Sequence, residues 1–317
     1  MKKDSVLVIV GPTASGKTAT AIAVAKALDG EIVSADSMQI YKKMRIGTAK
    51  PTRKEMDGIP HHLIDIIDPK DKFSVAEYKI KALDTIKQII QRKKLPIVVG
   101  GTGLYINGLT LPWNFSNNSR DKEIYDYYET IGRIKGIDQL YKILIEKDPE
   151  AAQKIHPNNV KRVIRALEII DVSGDKKSNQ IKIDSEREVE YNYIMTGIEW
   201  ERTKLYDRIN TRIDMMMTEG LIDEVKELIN LGLNSQHLSM QAIGYKELIP
   251  YINGEMEIEK SLELLKRDSR RYAKRQLTWF RKDDRINWFP YENYKNTELL
   301  ASDIANYFLK MKKYKEC

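Results

Sequence analysis

With 317 residues, 42% of them hydrophobic and 31% charged, the chain can bury a real core and does not have the composition of a disordered polymer. Its formal charge of +7 favours an anionic partner, and its single cysteine, Cys317, excludes any intrachain disulfide. No apolar stretch is long enough to span a bilayer, and the N-terminus runs into a strand with no small-residue cleavage site. A cytoplasmic protein with neither signal peptide nor membrane partner is therefore expected.

The first third alternates strand and helix patterns. Val6–Val10 reads as a buried strand, Lys17–Leu28 as a helix, Glu31–Ser34 as a strand, Val75–Gln91 as a helix, and Leu95–Val99 as a strand ending in GGTG. Such alternation implies a parallel sheet covered on both faces. After Trp113 a polar, asparagine-rich connector leads into helical patterns over Lys122–Ile134 and Gly136–Glu146, then a helix opened by HPNN and running to about Val172. Pro157 suits the first turn of that helix. SGDKKSN reads as a loop, YNYIMTGIEW as an alternating strand, and the chain past Trp200 as helical almost to its end. The expected fold is α/β, a P-loop NTPase-like parallel sheet core (residues 1–113 and 199–317) with a mainly helical insertion (114–198).

Gly11, four residues, then Gly16-Lys17-Thr18 fit G-x-x-x-x-G-K-[ST] between a strand and a helix. The glycines allow successive N–H groups to point at one anion, and the helix adds its positive end. Lys17 is suited to neutralise phosphate oxygens, and the Thr18 hydroxyl to ligate Mg²⁺. An ATPase of this kind also needs a second apolar strand ending in Asp. The strand LPIVV ends instead in Gly100-Gly101-Thr102-Gly103, and the apolar run before Asp65 and Asp68 is too short. The best-placed carboxylate is Asp36, at the end of the second strand, facing the same crevice as the loop. One carboxylate beside a phosphate cradle serves two chemistries. It can deprotonate a hydroxyl that attacks phosphorus, or a nucleophile that attacks carbon with diphosphate leaving.

GPTASGKT, SADSMQIYKKMRIGTAKP, PHHLIDI, VGGTGLYI, HPNNVKRVIRALEI, QAIGYKEL and RRYAKRQLTWFR occur in this order between residues 11 and 281. The series resembles the tRNA dimethylallyltransferases in their bacterial form, since the chain has no Cys/His cluster for the zinc module of eukaryotic members. The resemblance implies transfer of a dimethylallyl group from dimethylallyl diphosphate to N6 of adenine 37 of tRNA, beside the anticodon, with Mg²⁺ as cofactor. It implies that Gly11, Pro12, Thr13, Ala14, Ser15, Gly16, Lys17 and Thr18 hold the donor diphosphate, and that Asp36 is the general base. Thr102 would stand beside the reacting centre, and Arg208 or Arg212 near the diphosphate. Asp36, Ser37, Met38 and Gln39 match the stretch that contacts the target base. Lys161, Arg162, Val163, Ile164 and Arg165, and Gln241, Ala242, Ile243, Gly244, Tyr245 and Lys246, match segments that touch tRNA. Lys161 stands where many members carry glutamine. The partners expected are tRNA and dimethylallyl diphosphate, with the enzyme acting as a monomer.

Charge placement bears on the same question. Arg267, Arg270, Arg271, Lys274 and Arg275 recur at three- and four-residue steps, a cationic helical face suited to a phosphate backbone, with Leu265, Tyr272 and Trp279 on another face. Lys161, Arg162 and Arg165 form a second cluster. A prenyltransferase acting on a free nucleotide needs neither cluster. A small-molecule kinase uses the same loop, and a non-catalytic RNA-binding regulator would leave Asp36 and Thr102 idle. His61 and His62 read as loop-structural, and Met215, Met216 and Met217 as helix packing.

Overall fold

The computed structural model describes residues 3–115, 121–174, 176–179 and 187–316, which form two compact units, one of residues 1–110 with 190–317 and one of residues 111–189. The first unit is built on a six-stranded, all-parallel sheet. Its strands are β1 (Ser5–Val10), β2 (Gly30–Ser34), β3 (His61–His62), β4 (Leu95–Gly100), β5 (Asn192–Glu199) and β6 (Ile286–Pro290), in the order β3-β2-β4-β1-β5-β6.

β1 is buried at every position, as a strand covered on both faces requires. Leu7 and Ile9 of β1, Ile32 of β2, and Ile97 and Val99 of β4 join one cluster. Over them lie Ala21, Ile22 and Ala25 of α1 (Lys17–Leu28), and Leu300, Ile304 and Phe308 of α13 (Thr297–Glu316). The other face is covered by α3 (Val75–Gln91) and α4 (Gly103–Thr110), joined by Tyr78 and Tyr105 stacked with centroids 4.1 Å apart. Capping boxes Thr52/Glu55 and Ser74/Glu77 fix the starts of α2 (Arg53–Met56) and α3.

β5 corrects the expected boundary at residue 198. It pairs with β1 from Ser5↔Asn192 to Val10↔Gly197, and with β6 on its other side. It is therefore an inner strand of the core sheet, and the helical unit ends at 189. β6, in a stretch expected to be helical, and the two-residue β3 are further departures.

The second unit packs α5 (Lys122–Ile134), α6 (Ile137–Lys147), α7 (Pro149–Lys154) and α8 (Val160–Ser173) around Tyr128, Leu140, Leu144, Val163, Ile164 and Leu167. α8 begins at Val160 with Asn159 at its N-cap position, so Pro157 precedes the helix rather than entering its first turn. The polar connector expected after Trp113 and the loop SGDKKSN lie partly outside the described residues. The core unit is completed by α9 (Arg202–Thr218), α10 (Leu221–Asn230), α11 (Ile249–Ile252) and α12 (Ile258–Phe280). Among the described residues no helix is long and apolar enough to cross a membrane.

Candidate active site

The carboxyl ends of β1, β2 and β4 open into one crevice, as expected where strand order departs from chain order in a parallel sheet. β4 lies between β1 and β2, so the turns after all three strands converge. The crevice is lined by Thr13, Lys17 and Thr18 of the glycine-rich loop, Asp36 and Gln39 after β2, Gly100 at the end of β4, and Arg212, Tyr272 and Gln276 from the helices that follow β5.

The loop Gly11–Thr18 has the shape that its sequence requires. Gly16 takes φ +86°, a left-handed conformation that turns the chain into α1. Ala14, also left-handed at φ 62°, presents its carbonyl to the Arg208 guanidinium, whose Nε donates at 2.9 Å. That guanidinium lies over the Trp200 ring at 4.3 Å, and Trp200 Nε1 donates to the carbonyl of Ser15 at 2.9 Å. Trp200 in turn stacks on Tyr291 at 4.2 Å. On the opposite side, Gln276 accepts from Thr13 N at 2.8 Å and donates to Gly101 O at 2.9 Å, tying the loop to the GGTG turn. Two tertiary latches therefore hold the loop, while Gly11, Pro12 and Ser15 are buried beneath it.

The electrostatics are those of a cationic slot facing one acid. Burial pushes Lys17 down to about 8, against the attraction of Asp36 and with added repulsion from Arg212. Arg212 is likewise lowered by burial, with Asp36 acting in the opposite sense. Lys17 Nζ donates to Pro12 O at 3.1 Å, folded back on its own loop. Of the two arginines considered from sequence, Arg212 lines the crevice, whereas Arg208 is exposed and braces the loop backbone. They stand one helical turn apart on α9.

Asp36 Oδ1 accepts from Met38 N at 2.9 Å and Gln39 N at 3.3 Å, a turn that fixes the carboxylate. No hydrogen bond to Oδ2 occurs among the described residues. Thr102 Oγ1 accepts from Ser37 N at 3.0 Å and donates to Ser37 Oγ at 3.3 Å, joining the β2 and β4 turns. Tyr272 is pushed up to about 12, first by burial and then by the Asp36 charge, with its hydroxyl in reach of Thr102 and Gln276. It remains a neutral phenol. Sequence reading placed Tyr272 only on an apolar helix face and did not single out Gln276 or Trp200, although the motif RRYAKRQLTWFR contains the first two. Their i, i+4 spacing was the available signal.

Several expected RNA-contact residues are internal. Val163 and Ile164 are buried in the helical unit's core. Arg165 pairs at 2.7 Å with Glu168, itself fully buried. Lys161 and Arg162 are exposed. In the second segment Ala242, Gly244 and Tyr245 are buried, Ile243 is half-buried, and Gln241 and Lys246 are exposed. On α12, Arg267 and, at 3.6 Å, Arg271 pair with Asp268, and Arg270 donates to Asn210; Arg271, Lys274 and Arg275 are the exposed part of the expected cationic face, the last two with no ion pair among the described residues. Met215 and Met216, expected to pack, line a larger cavity of about 1250 Å³ that shares Ala49 and Arg212 with the crevice. His62 is structural, bonded at 2.7 Å to Glu31, which Arg92 also grips; His61 bonds the Ile59 carbonyl but also borders the crevice. Asp65 pairs with the buried Lys50 at 2.5 Å.

The chain is similar to known transferases over nearly its whole length. A family model described as IPP transferase matches residues 39–283. A tRNA dimethylallyltransferase of Caldanaerobacter subterraneus is 49% identical over 304 residues, 95% of this chain and 96% of its own length. One from Alkaliphilus oremlandii is 48% identical over 306 residues, 96% of this chain and 97% of its own. Among solved structures, the tRNA isopentenylpyrophosphate transferase of Bacillus halodurans superposes with a TM-score of 0.75 at 45% identity, covering 99% of this chain and 98% of that one. A eukaryotic dimethylallyltransferase solved acting on tRNA gives a TM-score of 0.82 at 28% identity, over 97% of this chain and 80% of its own. With a glycine-rich loop facing a fixed carboxylate, and with likeness over nearly its full length, the chain belongs to the IPP transferase family.

Proposed function

We propose that the protein transfers a dimethylallyl group from dimethylallyl diphosphate to N6 of adenine 37 of tRNA, releasing diphosphate. The observation that carries this reading is the single crevice in which Lys17, Thr18 and Arg212 face Asp36 and Gln39. An anion-binding wall and a proton acceptor share one small space, as attack on carbon with diphosphate leaving requires.

The amine of adenine is a poor nucleophile, because its lone pair is delocalised into the ring. The allylic carbon must gain positive character as the diphosphate departs. Lys17, Arg212 and the loop N–H groups are arranged to hold the negative charge that develops. Asp36, anchored through Oδ1, would take the N6 proton on Oδ2 as the new C–N bond forms. Thr102 holds the turn that carries Asp36, and Tyr272, within reach of Thr102, adds a second hydroxyl near it. The adenine would leave its stack to enter, and the adjoining cavity has room for a flipped nucleoside.

The Thr18 hydroxyl at the crevice wall suits Mg²⁺, which often takes few protein ligands and completes its shell with phosphate oxygens and water. When bound, the ion would neutralise charge on the leaving diphosphate. For tRNA, the exposed Lys161 and Arg162 of the helical unit, and Lys274 and Arg275 of the core, are candidates for backbone contacts. We take the acting form to be a monomer.

The test is one incubation with Mg²⁺, unmodified tRNA and either dimethylallyl diphosphate or ATP, followed by mass analysis of the digested nucleosides. A prenylated adenosine formed only with the allylic donor is expected. Unchanged RNA, with ATP consumed once small acceptors are added, would return Lys17 to a kinase.

A further inference from the structure

One carboxylate outside the crevice has an unusual set of partners. Glu224, near the start of α10, accepts from three successive backbone amides: Arg45 N at 2.9 Å and Ile46 N at 2.7 Å through Oε2, and Gly47 N at 3.1 Å through Oε1. Oε1 also accepts from the Tyr245 hydroxyl at 2.7 Å. Three consecutive N–H groups aimed at one point form an anion nest, and here the anion belongs to a residue 177 to 179 positions away in sequence.

Arg45, Ile46 and Glu224 line the larger cavity that adjoins the crevice, and the chain runs on from the nest into the crevice wall at Thr48 and Ala49. Gln39 donates from Nε2 to the carbonyls of Thr48 and Ala49 at 3.3 and 3.2 Å, and both of those residues line the crevice beside it. The Gly47–Tyr245 packing is equally tight. A Cβ on Gly47 would stand 2.5 Å from the Tyr245 ring, which is fully buried. The chain from Arg45 to Ala49 is thus pinned by Glu224 and Tyr245 on one side and received by Gln39 on the other.

We infer that Glu224 is a positioning residue for the acceptor half of the site, holding the Arg45–Gly47 backbone so that Gln39, Thr48 and Ala49 present a fixed surface to the base. It acts through the loop rather than on the reacting atoms. This rests on the prenyl-transfer reading for its kinetic consequence, though not for its structural one. The glycine-rich loop is held by a different set of groups, Trp200, Arg208 and Gln276, so losing Glu224 leaves the donor cradle intact.

The experiment compares the full-length wild type with Glu224→Ala, Glu224→Gln and Gln39→Ala, and with the Glu224→Ala/Gln39→Ala double variant. In hydrogen exchange of the free protein, Glu224→Ala should lose protection at the amides of residues 45–47 while α1 keeps its own. Unchanged protection at 45–47, or equal loss in α1, would overturn the inference whatever the acceptor proves to be. In steady-state transfer to tRNA, kcat/KM for tRNA should fall about tenfold to a hundredfold, with KM for dimethylallyl diphosphate within about twofold of wild type. Glu224→Gln should fall between, because an amide still accepts from two of the N–H groups but turns its NH₂ toward the others. The double variant should be less impaired than the product of the two single effects. Wild-type kcat/KM for tRNA in folded Glu224→Ala, or full multiplicativity with Gln39→Ala, would sink the positioning role. Failure of the wild type itself to modify tRNA would count against the prenyl-transfer reading, and the exchange result would still decide the loop's anchorage.

Discussion

At the scale of the residue, Asp36 and Lys17 are coupled, and each leaves a separate kinetic trace. Asparagine at 36 keeps an Oδ1 to accept from Met38 N and Gln39 N, so Asp36→Asn should fold normally. It loses the proton acceptor, and kcat should drop by about 10²–10⁴. Lys17 binds an anion only when charged, and in the free protein it loses that charge around pH 8. KM for dimethylallyl diphosphate should therefore be flat below pH 8 and rise above it, approaching about tenfold per pH unit. Lys17→Arg should abolish this limb, since a guanidinium stays charged. Because Asp36 raises the Lys17 value, Asp36→Asn should move the limb to lower pH. A pH profile of donor KM for the three proteins checks both roles; an unshifted limb in Asp36→Asn would separate the two groups.

At the scale of the element, α9 divides the work of its two arginines by one turn of helix. Arg212→Ala removes a cation from the crevice wall and should lower kcat by about 10²–10³ at saturating donor, as loss of a charge-stabilising donor does elsewhere. Arg208→Ala removes the brace on Ala14 O and the stack on Trp200 and should act mainly on donor KM. Equal effects on kcat and KM in both variants would contradict the division. Sequence showed the motif and the pair of arginines but not their division, because that depends on how α9 approaches the loop. The same contrast holds for whole elements. α1 and α3 were legible to the residue, since apolar spacing and the Ser74/Glu77 box are local signals. β6 was not: INWFP is short, at the sheet edge, with Asn287 exposed, and only pairing with β5 makes it a strand. Within the site, the glycine-rich loop and Asp36 were legible for the same local reason. Tyr272, Gln276 and Glu224 were not, because each owes its role to a partner more than 20 residues away in the chain.

At the scale of the whole molecule, net charge says less than the distribution of free cations. A formal +7 is the small excess of 53 basic over 46 acidic side chains, and some of the cations in the expected contact segments face acids nearby, as Arg165 faces Glu168 and Arg267 faces Asp268. Affinity for tRNA should fall steeply with salt, but with a slope set by exposed cations such as Lys161, Arg162, Lys274 and Arg275 rather than by every basic residue in the motifs. Lys161→Ala and Arg162→Ala should each flatten a plot of log affinity against log salt by about one. Arg165→Ala should leave that slope nearly unchanged and instead destabilise the protein by up to about 3–5 kcal/mol, since it removes the cation from the buried Glu168 carboxylate and leaves it the Asp121 N–H. Filter binding across a salt series and thermal melts of the three variants distinguish these outcomes. A slope lost in Arg165→Ala with its melting temperature unchanged would mean that the Glu168 pair opens to receive RNA, and that the half-buried Arg165 charge, paired in the free protein, is held in reserve for the complex.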